Sequence, residues 1–351
     1  MQAELAEQTL EPDNQGKQLV KEEGNSSFSF SFGDPEQVLA TSIADYMGVF
    51  TDLNAEYYEP PIPPQGLAKI RHANAYHPTC MNFKANQVCK YYRDNRFLSR
   101  EDLKKAWIDY DTFGNYYLKV ISNAFRQVIG LKHVPAINMR RCKKPGRYCR
   151  LTSDGIVGAR YKKGEIFHGK EYDVKQEIYG VPSWYGALQS ILLDEDSTVF
   201  RRKYYVNGAH MGYIFFTRDP DINEEAQEKL KQEIKKSKAA GNFRSMYINI
   251  PEGDKDAVQI IPVGDISTKD EFERVKKITR NDMLSAHRVY PELAAIVTEE
   301  KNSGDFIKIN QVYYENETVP MQQVFLAINE LFPPGANPIT FKEPDFSQTT
   351  V

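Results

Sequence analysis

Two long stretches of this chain carry apolar residues at three- and four-residue steps, and residues 209–265 separate them. In the first, Trp184, Ala187, Leu188, Ile191, Leu192 and Val199 share one helical face. Gly180-Val181-Pro182 stops any preceding element, and Ser183 can cap a helix that starts there. Asp194, Glu195 and Asp196 come before Arg201, Arg202 and Lys203, the charge order a helix dipole favours. Asn207-Gly208 supplies a left-handed stop, so the pattern predicts a helix over 183–208. In the second stretch Phe272, Val275, Thr279 and Met283 line one side of a helix over 266–290, whose other faces are charged.

The rest of the chain alternates between the two periods. Residues 1–26 are polar and acidic and are expected to stay disordered until bound. Phe28, Phe30 and Phe32 alternate with serines as in a half-buried strand, Asp34-Pro35 marks a turn, and a short helix is expected over 38–50. Residues 57–64 (YYEPPIPP) read as a proline-stiffened surface strap packed on a helix, with a polyproline ligand as the alternative. A helical pattern covers 67–97, with Ile70, Ala73, Met81, Ala85 and Val88 as core residues. Ser99 and Asp102 form a capping signature for a helix over 101–110, which Gly114 ends. Strands are predicted over 116–122 and 128–134, with more β structure over 148–168. Between the two long helices, residues 213–217 alternate as a strand, and Ile222, Ala226, Leu230 and Ile234 make a narrow helical stripe. A strand pair, 246–250 and 258–263, joined by the PEGDKDA turn, comes next.

Composition narrows the class. The chain has 351 residues, 41% hydrophobic and 26% charged, which is ordinary globular composition. A formal charge of -3 argues against clinging to nucleic acid through overall positive charge. No apolar run reaches the roughly 18–20 residues that span a bilayer, and the first residues lack the basic start and apolar middle of a secretory signal. Cys80, Cys89, Cys142 and Cys149 are expected to be reduced thiols, and their spacings do not fit a zinc knuckle.

Candidate chemistry is sparse. Residues 140–150 (RRCKKPGRYCR) hold six basic side chains, either a phosphate-contacting patch with Tyr148 free to stack or a solvated hairpin about Pro145-Gly146. Phosphate-binding glycine loops, GxSxG, HExxH and paired catalytic carboxylates do not occur, so no catalytic, cofactor or metal residue is assigned. His287 reads as a packing or hydrogen-bonding residue on a helix.

The stretch YGVPSWYGALQSILLDEDSTVFRRKYYVNGAHMGYIFF resembles the signature segment of tailed-phage portal proteins of the PBSX/P2-like family. The likeness continues co-linearly through SFSFGDPE, YYEPPIPPQGLA, GNFRSM, KDEF and AHRV, and so spans nearly the whole chain beyond residue 26. It departs from the family pattern at Tyr290 and at Ala294-Ala295.

That resemblance implies an α+β portal fold: an α/β wing, a two-helix stem, a small α/β clip, a long kinked wing helix and a reduced crown. Its parts would be a wing over 27–182, stem helices over 183–208 and 266–290, and a clip over 209–265. A tunnel-loop region over 291–310, a long wing helix over 311–332 kinked at Pro320, and a tail or minimal crown over 333–351 would complete it. The implied function is a homododecameric ring at one capsid vertex, assembled in the host cytoplasm with major capsid and scaffold proteins. Double-stranded DNA would pass through it, driven by the terminase large subunit, and head-completion or connector proteins would attach later. No cofactor, no enzymatic activity and no membrane are expected. Channel candidates are Lys276, Lys277, Lys301, Asn302, Ser303 and Lys308. Docking candidates on the clip are Arg218, Asp219, Glu224, Lys238, Arg244, Glu252 and Asp254.

Geometry agrees with such a ring. Twelve helix axes about 8–10 Å apart lie on a circle roughly 31–38 Å across. Removing a helix diameter of about 10–12 Å leaves an opening near 20–28 Å, enough for a duplex roughly 20 Å wide. The alternatives are another oligomeric tail or baseplate protein, which should lack the helix–insert–helix order between Ser183 and Arg288, or a DNA-processing enzyme, which needs a catalytic cluster.

Overall fold

The computed structural model describes residues 28–31, 44–51, 56–206, 213–217, 246–249, 258–262, 268–294, 296 and 306–346. The chain divides into two compact units, Met1–Gln37 with Val199–Lys269, and Val38–Thr198 with Asp270–Val351.

Strand β1 (Phe28–Ser31) opens the described chain, and helices α1 (Pro64–Ile70), α2 (Tyr76–Tyr91) and α3 (Arg100–Phe113) come after it. Then come β2 (Asn115–Ser122), β3 (Val128–Val134), β4 (Met139–Arg141), β5 (Tyr148–Leu151), β6 (Val157–Tyr161) and β7 (Ile166–Lys170). A 3₁₀ turn, Ser183–Ala187, leads into α4 (Leu188–Val206). Strands β8 (Tyr213–Thr217), β9 (Met246–Asn249) and β10 (Val258–Pro262) precede α5 (Thr268–His287). Last come α6 (Phe306–Tyr313) and α7 (Val319–Leu326), joined by a π-helical turn, Tyr314–Thr318, and ended by a 3₁₀ turn, Ala327–Leu331.

The smaller unit holds one four-stranded sheet in the order β1-β9-β8-β10. Two expectations change here. The strands near 246–250 and 258–263 do not pair with each other, because β8 lies between them, parallel to β9 and antiparallel to β10. Parallel neighbours need a crossover of a dozen or more residues, and residues 218–245 are long enough to provide it. The phenylalanine strand, expected within the 27–182 wing, pairs instead with β9, Phe28 opposite Asn249. The stripe at Ile222–Ile234, the Asp34-Pro35 turn, Asn207-Gly208 and residues 1–26 lie outside the described residues.

In the larger unit, β3-β2-β7 and β4-β5-β6 form two antiparallel three-stranded sheets. Its main core joins α2 and α3 (Val88, Leu103, Trp107) to β2 and β3 (Tyr116, Leu118, Leu131) and to Tyr313 and Phe325. As expected, Ser99 accepts from the Asp102 amide and caps α3, while Gly114 ends it in the left-handed region at φ 70°. A Cβ on Gly114 would sit 2.6 Å from the Val181 backbone. Asn115 locks the same approach, accepting from the Gly180 amide at 2.8 Å and donating to its carbonyl at 2.8 Å. The chain therefore enters α4 from a fixed point on α3 and β2.

Other expectations are redrawn. The helical pattern of 67–97 breaks at 71–75, where Asn74 accepts from the Tyr76 and His77 amides. Residues 45–50 are not helical, and Phe50 bridges Glu59 instead. The proline strap does lie packed on a helix, with Pro61 buried and Ile62 buried beside Leu67 and Ile70 of α1. The last long helix begins at Phe306, not near 312, so 306–310 is helix and not loop. At Pro320, which lacks an amide hydrogen, the preceding turn has widened to π spacing. Tyr148 is buried between Tyr117 and His168 and is not free to stack on a base. Arg140, in the same basic run, is buried and held by Glu59 at 2.8 Å. No described helix is long and apolar enough to cross a membrane.

Candidate functional site

The candidate site is the pair of long helices and its seat. Trp184, wholly buried, donates from its indole nitrogen to the Asp111 carbonyl at 2.5 Å. Leu188, Ile191 and Leu192 continue its face and pack with Met283 of α5 and Leu67 and Ile70 of α1. These are the apolar positions of the sequence pattern, so amphipathicity sets which side of α4 turns inward.

Polar contacts then fix the register between α4 and α5. Asp194, with no exposed surface, accepts from Lys276 Nζ at 2.8 Å and from Thr279 Oγ1 at 2.9 Å. Lys276 also reaches the Asp194 carbonyl at 3.2 Å. One turn earlier on α4, Ser190 donates to Asp282 at 2.8 Å. Moving up α4 from 190 to 194 moves down α5 from 282 to 279 and 276, so the helices run antiparallel. A one-residue slip would strand the Asp194 carboxylate in an apolar setting, which costs several kcal/mol. The pair is held as a rod of single register.

The last turn of α5 is anchored on α2. His77 Nδ1 and His287 Nε2 lie 2.8 Å apart, and Trp184 packs edge-on against His77 with ring centroids 4.5 Å apart. Burial pushes His77 down to about 3 and His287 well below its usual value, and the Lys84 ammonium acts in the same direction on both. Both rings are therefore neutral near pH 7, one donating and the other accepting. Beneath them Lys84 and Asp111 form a buried ion pair at 2.5 Å.

Of the channel candidates, Lys276 has a side chain only 18% exposed, and its ammonium pairs with Asp194 at 2.8 Å. Lys277 pairs with Glu273 at 3.1 Å, four residues back on the same helix. Lys308 is exposed on α6. Lys301, Asn302 and Ser303 lie outside the described residues, as do Arg218, Asp219, Glu224, Lys238, Arg244, Glu252 and Asp254. Sequence reasoning missed Asp194 and Thr279 as a clamp. One signal was present, since Asp194 falls on the apolar face three residues after Ile191.

Comparison with known proteins gives the same outline. A family profile described as phage portal protein matches residues 91–327. The chain is 35% identical over 347 residues to the probable portal protein of Haemophilus phage HP1 (strain HP1c1), covering 97% of this chain and 99% of that one. To the probable portal protein of Escherichia phage P2 it is 35% identical over 303 residues, 86% of this chain and 87% of that one. Among solved structures, a chain in the neck of a native gene transfer agent particle computed with C12 symmetry superposes with a TM-score of 0.56. It is 17% identical and covers 83% of this chain and 86% of that chain. An HK97 family phage portal protein from Corynebacterium diphtheriae gives 0.54 at 8% identity, over 79% of this chain and 94% of that chain. These two likenesses show the α+β fold.

Proposed function

This chain belongs to the phage portal protein family, and from that premise we propose that its copies close into a ring at one capsid vertex. Double-stranded DNA is packaged through that ring by a separate ATP-driven terminase and leaves by the same channel. The observation that carries this reading is the 35% identity held over 97% of this chain and 99% of its relative, so the likeness is to a whole protein and not to a borrowed module.

The parts take these roles. Helices α4 and α5 wall the channel as a two-helix stem. The stem's buried ion pair and its histidine seat resist axial slip when DNA is driven past. The segment over 209–265, joined by β1, forms the clip that meets the terminase large subunit and later the head-completion or connector protein. Residues 56–182 and the helical run from Phe306 form the wing, which faces major capsid and scaffold proteins. The overall charge of -3 suits a passage that must not hold phosphates, because each neutralised phosphate adds salt-dependent affinity. Assembly takes place in the host cytoplasm, and the mature location is the portal vertex of the virion.

Negative-stain imaging of the purified full chain tests the proposal. Rings with a central hole about as wide as a duplex, roughly 20 Å, are expected. Compact monomers or fibres, or ATP hydrolysis that tracks the purified chain through point variants, would overturn it.

A further inference from the structure

Two neighbouring turns of the larger unit gather cations that the stem does not use. The turn between β4 and β5 (142–147, CKKPGR) and the turn between β6 and β7 (162–165, KKGE) together hold five basic side chains and one acid. Both lie at the same end of the β4-β5-β6 sheet, because Tyr148 of β5 pairs with Arg141 of β4 on one side and with Tyr161 of β6 on the other. The turns also touch. Gly146 is in the left-handed region at φ 71°, and a Cβ there would stand 2.9 Å from Lys163 Cγ, so the Lys163 stem lies across the first turn. Lys143, Lys144, Arg147, Lys162 and Lys163 are all exposed. The turn at the opposite end of the sheet, 152–156 (TSDGI), has one acid and no cation.

Little within the chain answers this charge. Glu56, whose carbonyl accepts from the Lys143 amide, has its carboxylate paired with Arg160 at 2.8 Å. Glu165 accepts from the Lys162 amide at 2.8 Å. Lys144, Arg147, Lys162 and Lys163 have no ion-pair partner among the described residues. Like charges gathered on touching turns repel one another, and an anion from outside the chain relieves them.

The surface also selects among polyanions. Tyr148 and Tyr161, the aromatic residues of β5 and β6, pack with Tyr117 and Met139, so neither ring is offered to the bases of a single strand. The two turns carry no large apolar side chain with which to seat a protein segment. Point charges alone suit the phosphates of a duplex, which repeat about every 1.7 Å of axis whatever the sequence.

We propose that this pair of turns is a sequence-independent contact for double-stranded DNA outside the channel. It lies on neither stem helix, so it is separate from the walls of the passage. That the polyanion is DNA rests on the portal reading; the charge cluster itself does not.

The test mixes the purified full chain with a covalently closed circular duplex. Such a circle cannot thread a closed ring, so its binding reads outer surfaces. Binding should weaken steeply between about 50 and 200 mM salt and be equal for circles of unrelated sequence. The triple variant Lys144→Gln, Arg147→Gln and Lys163→Gln should bind about tenfold more weakly or worse, with a log–log salt slope shallower by about 2–3, since each lost phosphate contact removes about 0.9. Its thermal unfolding should be unchanged or slightly raised, because mutual repulsion is removed. Lys144→Arg with Lys163→Arg should keep the binding. A control with Lys90→Gln, Lys104→Gln and Lys119→Gln, exposed cations elsewhere, should bind almost as the unsubstituted chain does. An equal loss in the control, unchanged affinity and slope in the triple variant, or no circle bound at the lowest salt overturns the proposal. Tighter binding of polyglutamate than of duplex at equal charge overturns DNA as the occupant. Any of these results with normal rings by imaging removes the patch alone, whereas circle binding as expected without rings removes the ring reading alone.

Discussion

His77 Nδ1 sits 2.8 Å from His287 Nε2, a contact between residues 210 positions apart that pins the end of α5 to the start of α2. Both rings are buried, and each keeps one nitrogen without a hydrogen-bond partner among the described residues. Protonating either ring would place a cation beside the other imidazole and near the Lys84 ammonium, so the folded protein resists it.

That resistance has a sign. The folded histidines hold protons less well than unfolded ones, whose ordinary value is near 6.5. Above 6.5 both states are neutral and the seat contributes fully. As pH falls from 6.5 towards 3, the unfolded chain gains protons the folded chain refuses, and stability is lost. Between pH 6.5 and 5 the loss should be on the order of 2 kcal/mol per such imidazole. His168, also pushed down to about 3 by burial, adds to the slope. Urea unfolding at stepped pH should therefore show a midpoint falling with acid. His77→Gln with His287→Asn should flatten most of that slope and leave the part due to His168.

Asp194 is the other fixed point of the stem. Removing its carboxylate takes the counter-charge from Lys276 Nζ, which keeps only the Asp194 carbonyl at 3.2 Å, and leaves Thr279 Oγ1 to the Val275 carbonyl at 3.0 Å. Asp194→Ala should cost about 3 kcal/mol by urea unfolding, in the range for breaking a buried pair. The double variant Asp194→Leu with Lys276→Met should recover much of this, because neither charge then remains. A double variant no better than the single would mean that the cost comes from the lost shape and not from the stranded ammonium.

These two contacts also mark what the sequence could and could not reveal. The cap at Ser99, the stop at Gly114 and the hairpin of β2 and β3 are local, so a few neighbouring residues declare them. The faces of α4 and α5 were legible for the same reason, since 3.6-residue spacing is visible in one dimension. The break between α1 and α2 was not. Asn74 makes it partly by donating to the Ile191 carbonyl, 117 residues away. The place of β8 between β9 and β10 and the meeting of His77 with His287 are long-range choices of the same kind. Lys276 reads as one more basic residue on a charged helix until Asp194 is seen opposite it.

Gly114 offers a sharper local test. Its φ of 70° disfavours any side chain, and a Cβ would meet the Val181 backbone at 2.6 Å. Either fault alone is costly, and here the obstruction is backbone, which cannot rotate away. Gly114→Ala should destabilise by more than about 1 kcal/mol, the level expected from lost left-handed freedom alone. It should also loosen the start of α4, read as faster amide exchange at Trp184 and Tyr185. Unchanged exchange there would separate the α3 cap from the stem entry.

The lysines near the expected tunnel loop should part into two groups. Lys276 serves the fold, so Lys276→Gln should lower thermal stability and disturb DNA handling only as far as rings are lost. Lys308 is exposed on α6, and Lys301 falls in the segment that links α5 to it. Replacing both with Gln should leave ring formation and unfolding nearly unchanged, since exposed charges contribute little to stability. If these ammoniums guide the duplex, each lost phosphate contact also removes one salt-dependent step, so packaged particles should retain shorter DNA, with a weaker dependence on ionic strength. Packaged length and retention identical to the unsubstituted protein, in particles with normal rings, would remove Lys301 and Lys308 from the channel.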